Sequence, residues 1–148
     1  MSPVDTAKGA KKHKLSDVLD MNTFEQILEM DEEGDNEFSS SIVDGFLDQA
    51  EETFVSMDKA LEEEQLEELS SLGHFLKGSS ATLGLVKIRD GCENIQRYGK
   101  MENTDGSPLT DADKCLKLID ETLRAIKADF THAKTVLREH YPDPKAEA

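Results

Sequence analysis

The chain has 148 residues and a net charge of −15, with 33% charged and 36% hydrophobic residues. That length suits one domain around a single core. A chain so acidic is repelled by phosphate backbones and anionic headgroups, so nucleic acid and membrane partners are poor readings. No apolar run is long enough to span a bilayer, and the N-terminus lacks the apolar stretch of a leader. A soluble intracellular protein, cytoplasmic and nuclear, is the expectation. The cluster "KKHK" at 11–14 is read as a solvated tail in preference to an import patch. Cys92 and Cys115 sit far apart in apolar helical patterns and read as reduced core residues.

Helical periodicity runs through the chain, and strict apolar/polar alternation is missing. A loose tail is expected to Ser16, then a short helix over 20–30, with Phe24, Ile27 and Leu28 as its stripe. "DEEGDNE" breaks it. A long helix follows over 38–62, where Ile42, Phe46, Ala50, Thr53, Met57 and Leu61 recur at three- and four-residue steps. A third spans 65–83 and ends at Gly84, a residue suited to a helix C-terminus. The fourth covers 86–102, with Ile88, Cys92 and Ile95 inward. After the loop "NTDGSPLTDAD", Thr110 or Asp111 caps a fifth helix over 111–140. Its face carries Leu116, Ile119, Leu123, Ile126, Phe130, Ala133 and Leu137. From 142 a short tail follows. Four long amphipathic helices with short connections predict an all-α, antiparallel four-helix bundle over 17–141, with the short helix as an addition.

The third helix carries the chemistry. At about 100° per residue, Leu69, Leu72, Leu76, Ser79, Ser80 and Leu83 gather on the core arc. His74 falls near the opposite pole, with Lys77, Gly78 and Ala81 beside it at i+3, i+4 and i+7. A mid-helix glycine costs about 1 kcal/mol relative to alanine. At i+4 from an exposed imidazole it leaves an opening through which another protein reaches the ring. Lys77 places an ammonium where negative charge on the ring is met. A nucleophilic imidazole, a cation and an opening suit the carriage of a phosphoryl group. A lone exposed histidine is more often an ordinary surface residue; Gly78, pointing away from the core, is the member that argues otherwise.

"HFLKGSSATLGL" resembles the motif of histidine-containing phosphotransfer proteins, whose core is His-x-x-Lys-Gly-Ser/Ala. With "FLDQAEETF" at 46–54 and "CENIQRYGKM" at 92–101, the chain is similar to the fungal phosphorelay intermediates of the osmosensing pathway. The similarity is good over Met21 to Met101 and looser in the last helix. It implies that His74 takes a phosphoryl group from the receiver-domain aspartate of a hybrid sensor kinase. His74 then passes it to the aspartate of a downstream response regulator. It implies that Lys77 supports the phosphoryl charge, that Gly78 permits approach, and that Gln96 lies near the histidine. It implies no cofactor in this chain, with Mg²⁺ supplied by the partner receiver, and a receiver-docking patch on the first and third helices. For that patch Ile27, Met30 and Phe75 are candidates, joined by Ile42.

No Gly-rich nucleotide loop is present, so the carrier has no ATP site of its own. His13, His132 and His140 show no zinc spacing. The protein is expected to be a monomer. The competing reading is an acidic helical-bundle adaptor that docks receivers without transferring phosphate.

Overall fold

The computed structural model describes residues 13–142. Five α-helices follow a 3-10 turn at Leu15–Asp17: α1 Met21–Leu28, α2 Glu37–Glu62, α3 Leu66–Leu83, α4 Val86–Gly99 and α5 Ala112–His140. The described residues form no strand, only an isolated bridge between Glu102 and Pro108. Among them no helix is long and apolar enough to cross a membrane.

The connections dictate the arrangement. Three residues join α2 to α3 and two join α3 to α4, too few for anything but antiparallel neighbours. Helix α2 packs on α3 and α5, and α4 packs on α3 and α5, which closes a four-helix ring. Helix α1 lies across α2 and α3. Inside the ring Phe46, Met57, Leu69, Leu76, Ile95, Ile119 and Leu123 are buried. The stripes read from the sequence face this core, with Ile42, Leu61 and Leu116 at its half-buried margin. Cys92 and Cys115 are buried and free.

Helix ends follow local chemistry. Asp111 caps α5 by accepting from the amides of Asp113 and Lys114, satisfying donors that the first turn leaves open. Gly84 closes α3 at φ +90°, a conformation glycine adopts without penalty. Its carbonyl accepts from the Asp20 amide at 2.8 Å. A Cβ at Gly84 would stand 2.8 Å from the Asp20 oxygen. The α3–α4 joint is thus also the seat of the α1 N-terminus. Helix α4 ends at Gly99, three residues before the expected boundary, as Lys100 and Met101 enter a turn.

At the far end Tyr141 is buried, and its hydroxyl donates to Ser39 Oγ at 2.9 Å. Ser39 in turn donates to Asp31 from its hydroxyl (2.6 Å) and its amide (2.7 Å). The packed chain reaches back to His13, earlier than the boundary expected at 17. The His13 amide donates to Glu139, and the His140 ring donates to the His13 carbonyl. Lys11 and Lys12 of the basic cluster, and the tail from 143, lie outside the described residues.

Candidate functional site

His74 stands on the exposed face of α3 and hydrogen-bonds to none of the described residues. One turn on, an ideal Cβ built at Gly78 meets nothing within 4 Å. Gly78 is therefore no packing glycine; its missing side chain faces solvent beside the imidazole. The packing glycine is Gly73, which the sequence reading passed over. A Cβ there would lie 2.9 Å from the Cys92 carbonyl oxygen and 3.1 Å from the Gln96 nitrogen. Helices α3 and α4 touch backbone to backbone at that point, and Ser70 Oγ donates to the Gln96 carbonyl at 3.0 Å.

This close approach decides what surrounds Lys77. The sequence places Lys77 on an open face, but it is half-buried and engaged across the α3–α4 seam. Its ammonium donates to Glu93 Oε1 and to Gln96 Oε1, both at 2.9 Å. Gln96 belongs to the site through Lys77; no bond joins it to His74. Glu93, missed in the sequence, is the one acidic anchor of Lys77 among the described residues and also accepts from Arg97 Nε at 2.8 Å. Its spacing was a usable signal: Glu93 and Gln96 stand three apart in "CENIQR", hence on one face of α4. Lys77, with Arg97 in support, holds the Glu93 carboxyl below the usual carboxylate range. Behind the pair, burial pushes the Cys92 thiol up to about 12, against the pull of Lys77. On the α2 side Ser79 donates to Gln49 Oε1 at 3.0 Å.

The docking candidates divide. Phe75, next to His74, is 48% exposed. Met30 is 64% exposed but lies beyond the end of α1. Ile42 is half-buried against the core. Ile27 requires a correction: it is 8% exposed and part of the core. Helix α1 has only eight residues and turns both Phe24 and Ile27 inward, so its apolar excess is spent on packing. Phe38, at the start of α2, is 39% exposed. It lines a shallow groove with Met30, Ser41 and the acidic Glu32, Asp35 and Glu37. Phe75 is not part of that groove's lining.

An exposed imidazole with an open lane beside it and a tethered ammonium one turn away can accept and release a group delivered by another macromolecule. Comparison with known proteins points the same way. Residues 41–129 match the Hpt domain model, a span that takes in His74, Lys77, Gly78, Glu93 and Gln96. Multistep phosphorelay regulator 1 of Schizosaccharomyces pombe is 45% identical over 125 residues, covering 84% of this chain and 42% of that protein. The phosphorelay intermediate protein YPD1 of Candida albicans is 50% identical over 103 residues, covering 68% of this chain and 55% of that protein. The chain thus spans about half the length of these relatives. Among solved structures, Saccharomyces cerevisiae Ypd1 in complex with the receiver domain of its downstream response regulator Ssk1 matches with a TM-score of 0.73. The identity is 34%, over 84% of this chain and 94% of that one. A crystal structure of the yeast protein alone gives a TM-score of 0.71 and 31% identity over the same shares. With the matched model spanning the helices that build the site, this chain belongs to the Hpt domain family.

Proposed function

We propose that this chain is a phosphoryl carrier between receiver domains. A receiver's aspartyl phosphate docks over α3, and the unprotonated ring nitrogen of His74 attacks phosphorus. The N–P bond forms as the P–O bond to the aspartate breaks, and the carboxylate leaves with the electron pair. A second receiver's aspartate then reverses the step, taking the phosphoryl group and returning the imidazole. The receivers belong to a hybrid sensor kinase upstream and a response regulator downstream, and they supply the Mg²⁺ that this chemistry uses. Among the described residues no cluster of His, Cys, Asp or Glu could hold a metal.

The observation that carries this reading is the empty space beside His74: nothing lies within 4 Å of the position a Cβ would take at Gly78. In-line transfer between two proteins requires a flat approach to the ring, and a side chain at i+4 would stand in it. Lys77 meets the negative charge that passes between imidazole and carboxylate, where an oriented cation lowers the barrier.

The test is to mix the protein with a phosphorylated receiver domain and Mg²⁺ and to look for acid-labile, base-stable label. The expected result is label on His74 in the wild type, and none on the His74→Gln variant, whose helical circular dichroism is unchanged. Substantial label on that variant, or on His13, His132 or His140 of the wild type, refutes the assignment.

A further inference from the structure

Lys77 stands three residues after His74 on α3, and its ammonium is already engaged across the α3–α4 seam. Its ammonium is bonded to the Glu93 carboxylate at 2.9 Å, and the second Glu93 oxygen is held by Arg97. Arg97 reaches on to Glu102 at 3.7 Å. Charges therefore alternate along one line: Lys77, Glu93, Arg97, Glu102. A carboxylate at contact distance cancels most of an ammonium's field a few ångströms away. Among the described residues the ammonium donates to Glu93 and Gln96 alone, which leaves one N–H unspent. The Glu93 carboxyl is depressed, first of all by its hydrogen bond from Lys77.

We propose that Glu93 is a positioning residue that restrains Lys77 and thereby sets how the phosphoryl group divides between His74 and a receiver aspartate. A carrier must hold the group weakly enough to give it away. Were Lys77 unpaired, its full charge would stabilise the phosphohistidine dianion, and onward transfer would lose driving force. With Glu93 in place, Lys77 contributes only what it gains by turning part of its coordination from the carboxylate to the phosphoryl oxygens. Gln96, a neutral acceptor, stays as the pivot during that exchange. The same atoms move as in the transfer step above; only the stability of the N–P species changes. This inference rests on the carrier reading.

The experiment is an equilibrium partition. The full chain is mixed with one phosphorylated receiver and Mg²⁺, and label is measured on His74 and on the receiver aspartate. Wild type, Glu93→Gln, Lys77→Ala and the double variant are compared. Glu93→Gln is expected to shift the partition toward His74 by about two- to fivefold, the range for a half-exposed ion pair, and to slow onward transfer. In the Lys77→Ala background the same substitution is expected to leave the partition unmoved. Arg97→Gln, which removes the cation competing for Glu93, is expected to move the partition toward the aspartate. It also gives a reading should Glu93→Gln loosen α4. An unmoved partition in Glu93→Gln, a shift toward the aspartate, or an equal shift without Lys77 overturns the role of Glu93. Absence of label on wild-type His74 overturns the carrier reading and this inference with it.

Discussion

Gly73 and Gly78 lie five residues apart on α3 and are predicted to respond to the same substitution with opposite signs. At Gly78 the new methyl meets nothing within 4 Å. Alanine there restricts the unfolded chain and suits the helix better, for a gain of about 0.5–1 kcal/mol. At Gly73 the methyl would press on the Cys92 carbonyl oxygen at 2.9 Å, the Gln96 nitrogen at 3.1 Å and Ile95 Cγ2 at 3.2 Å. Two of those three atoms are backbone, so relief requires α4 to move as a body. Forcing a methyl into so tight a contact costs roughly 1–3 kcal/mol. Set against the same propensity gain, the net loss is about 1 kcal/mol. The two variants should then differ by about 2 kcal/mol, or roughly 4–8 °C in Tm for a domain of this size. Thermal and urea unfolding followed by circular dichroism measure it. A displaced α4 also moves Glu93 and Gln96, so Gly73→Ala should slow phosphoryl transfer although it touches nothing at the imidazole. If both glycines shift stability in the same direction, the assignment of one to packing and the other to access is wrong.

Phe75→Ala is expected to weaken binding of a receiver domain by about 5- to 20-fold in a titration, as for an exposed apolar anchor, with the transfer rate recovered at saturating receiver. Ile27→Ala should instead act through stability, losing about 2–4 kcal/mol as a core truncation in urea unfolding; a stable variant with weakened docking would return Ile27 to the surface. The Glu93 carboxyl is depressed in the folded chain, so its contribution to stability is present above its unfolded pKa and is lost as pH falls through the folded value. The difference in urea midpoint between wild type and Glu93→Gln should be constant from pH 6 to 8, shrink as pH falls below about 4 and disappear once the depressed carboxyl is protonated; a difference that persists through that protonation contradicts the ion pair as its source. With its thiol pushed up to about 12, Cys92 should resist alkylation at pH 8 in the native protein, as should buried Cys115, and both should react once guanidinium unfolds the chain. Rapid native labelling of either would show that the core opens there.

The long helices were legible because each repeats its apolar residues over many turns. The stripe of α5, from Ile119 through Leu137, leaves no second solution, and its cap falls at Asp111, one of the two residues, Thr110 and Asp111, that residue type nominates. His74 and Gly78 were legible for a related reason: a wheel separates faces well on a helix of 18 residues. What escaped depends on which helix lies opposite. The partner of Lys77 is 16 residues away on α4, and nothing within α3 indicates that its ammonium is tethered. Gly73 looks like any helical glycine until the backbone of α4 is seen against it. On α1 the wheel failed through brevity, since two turns do not distinguish a buried stripe from a spare apolar face. Ile27 went inward, while Met30, also a candidate, stays exposed after α1, as does Phe38 in the first turn of α2.

The bond from Tyr141 to Ser39 joins residues 102 apart in the sequence, and through Ser39 it fastens Asp31 in the loop ahead of α2. Helix termini fray, and the last turn of α5 is no exception in principle. Each time Tyr141 lifts away, Ser39 loses its hydroxyl donor and the Asp31 tether slackens, so the end of α5 and the α1–α2 loop open as one unit. Amide hydrogen exchange at Ser39 should therefore keep pace with exchange at Tyr141 and not with its neighbours along α2. Met30 sits one residue before Asp31 and Phe38 one before Ser39. The exposed apolar edge of the molecule is thus only as steady as the end of its last helix.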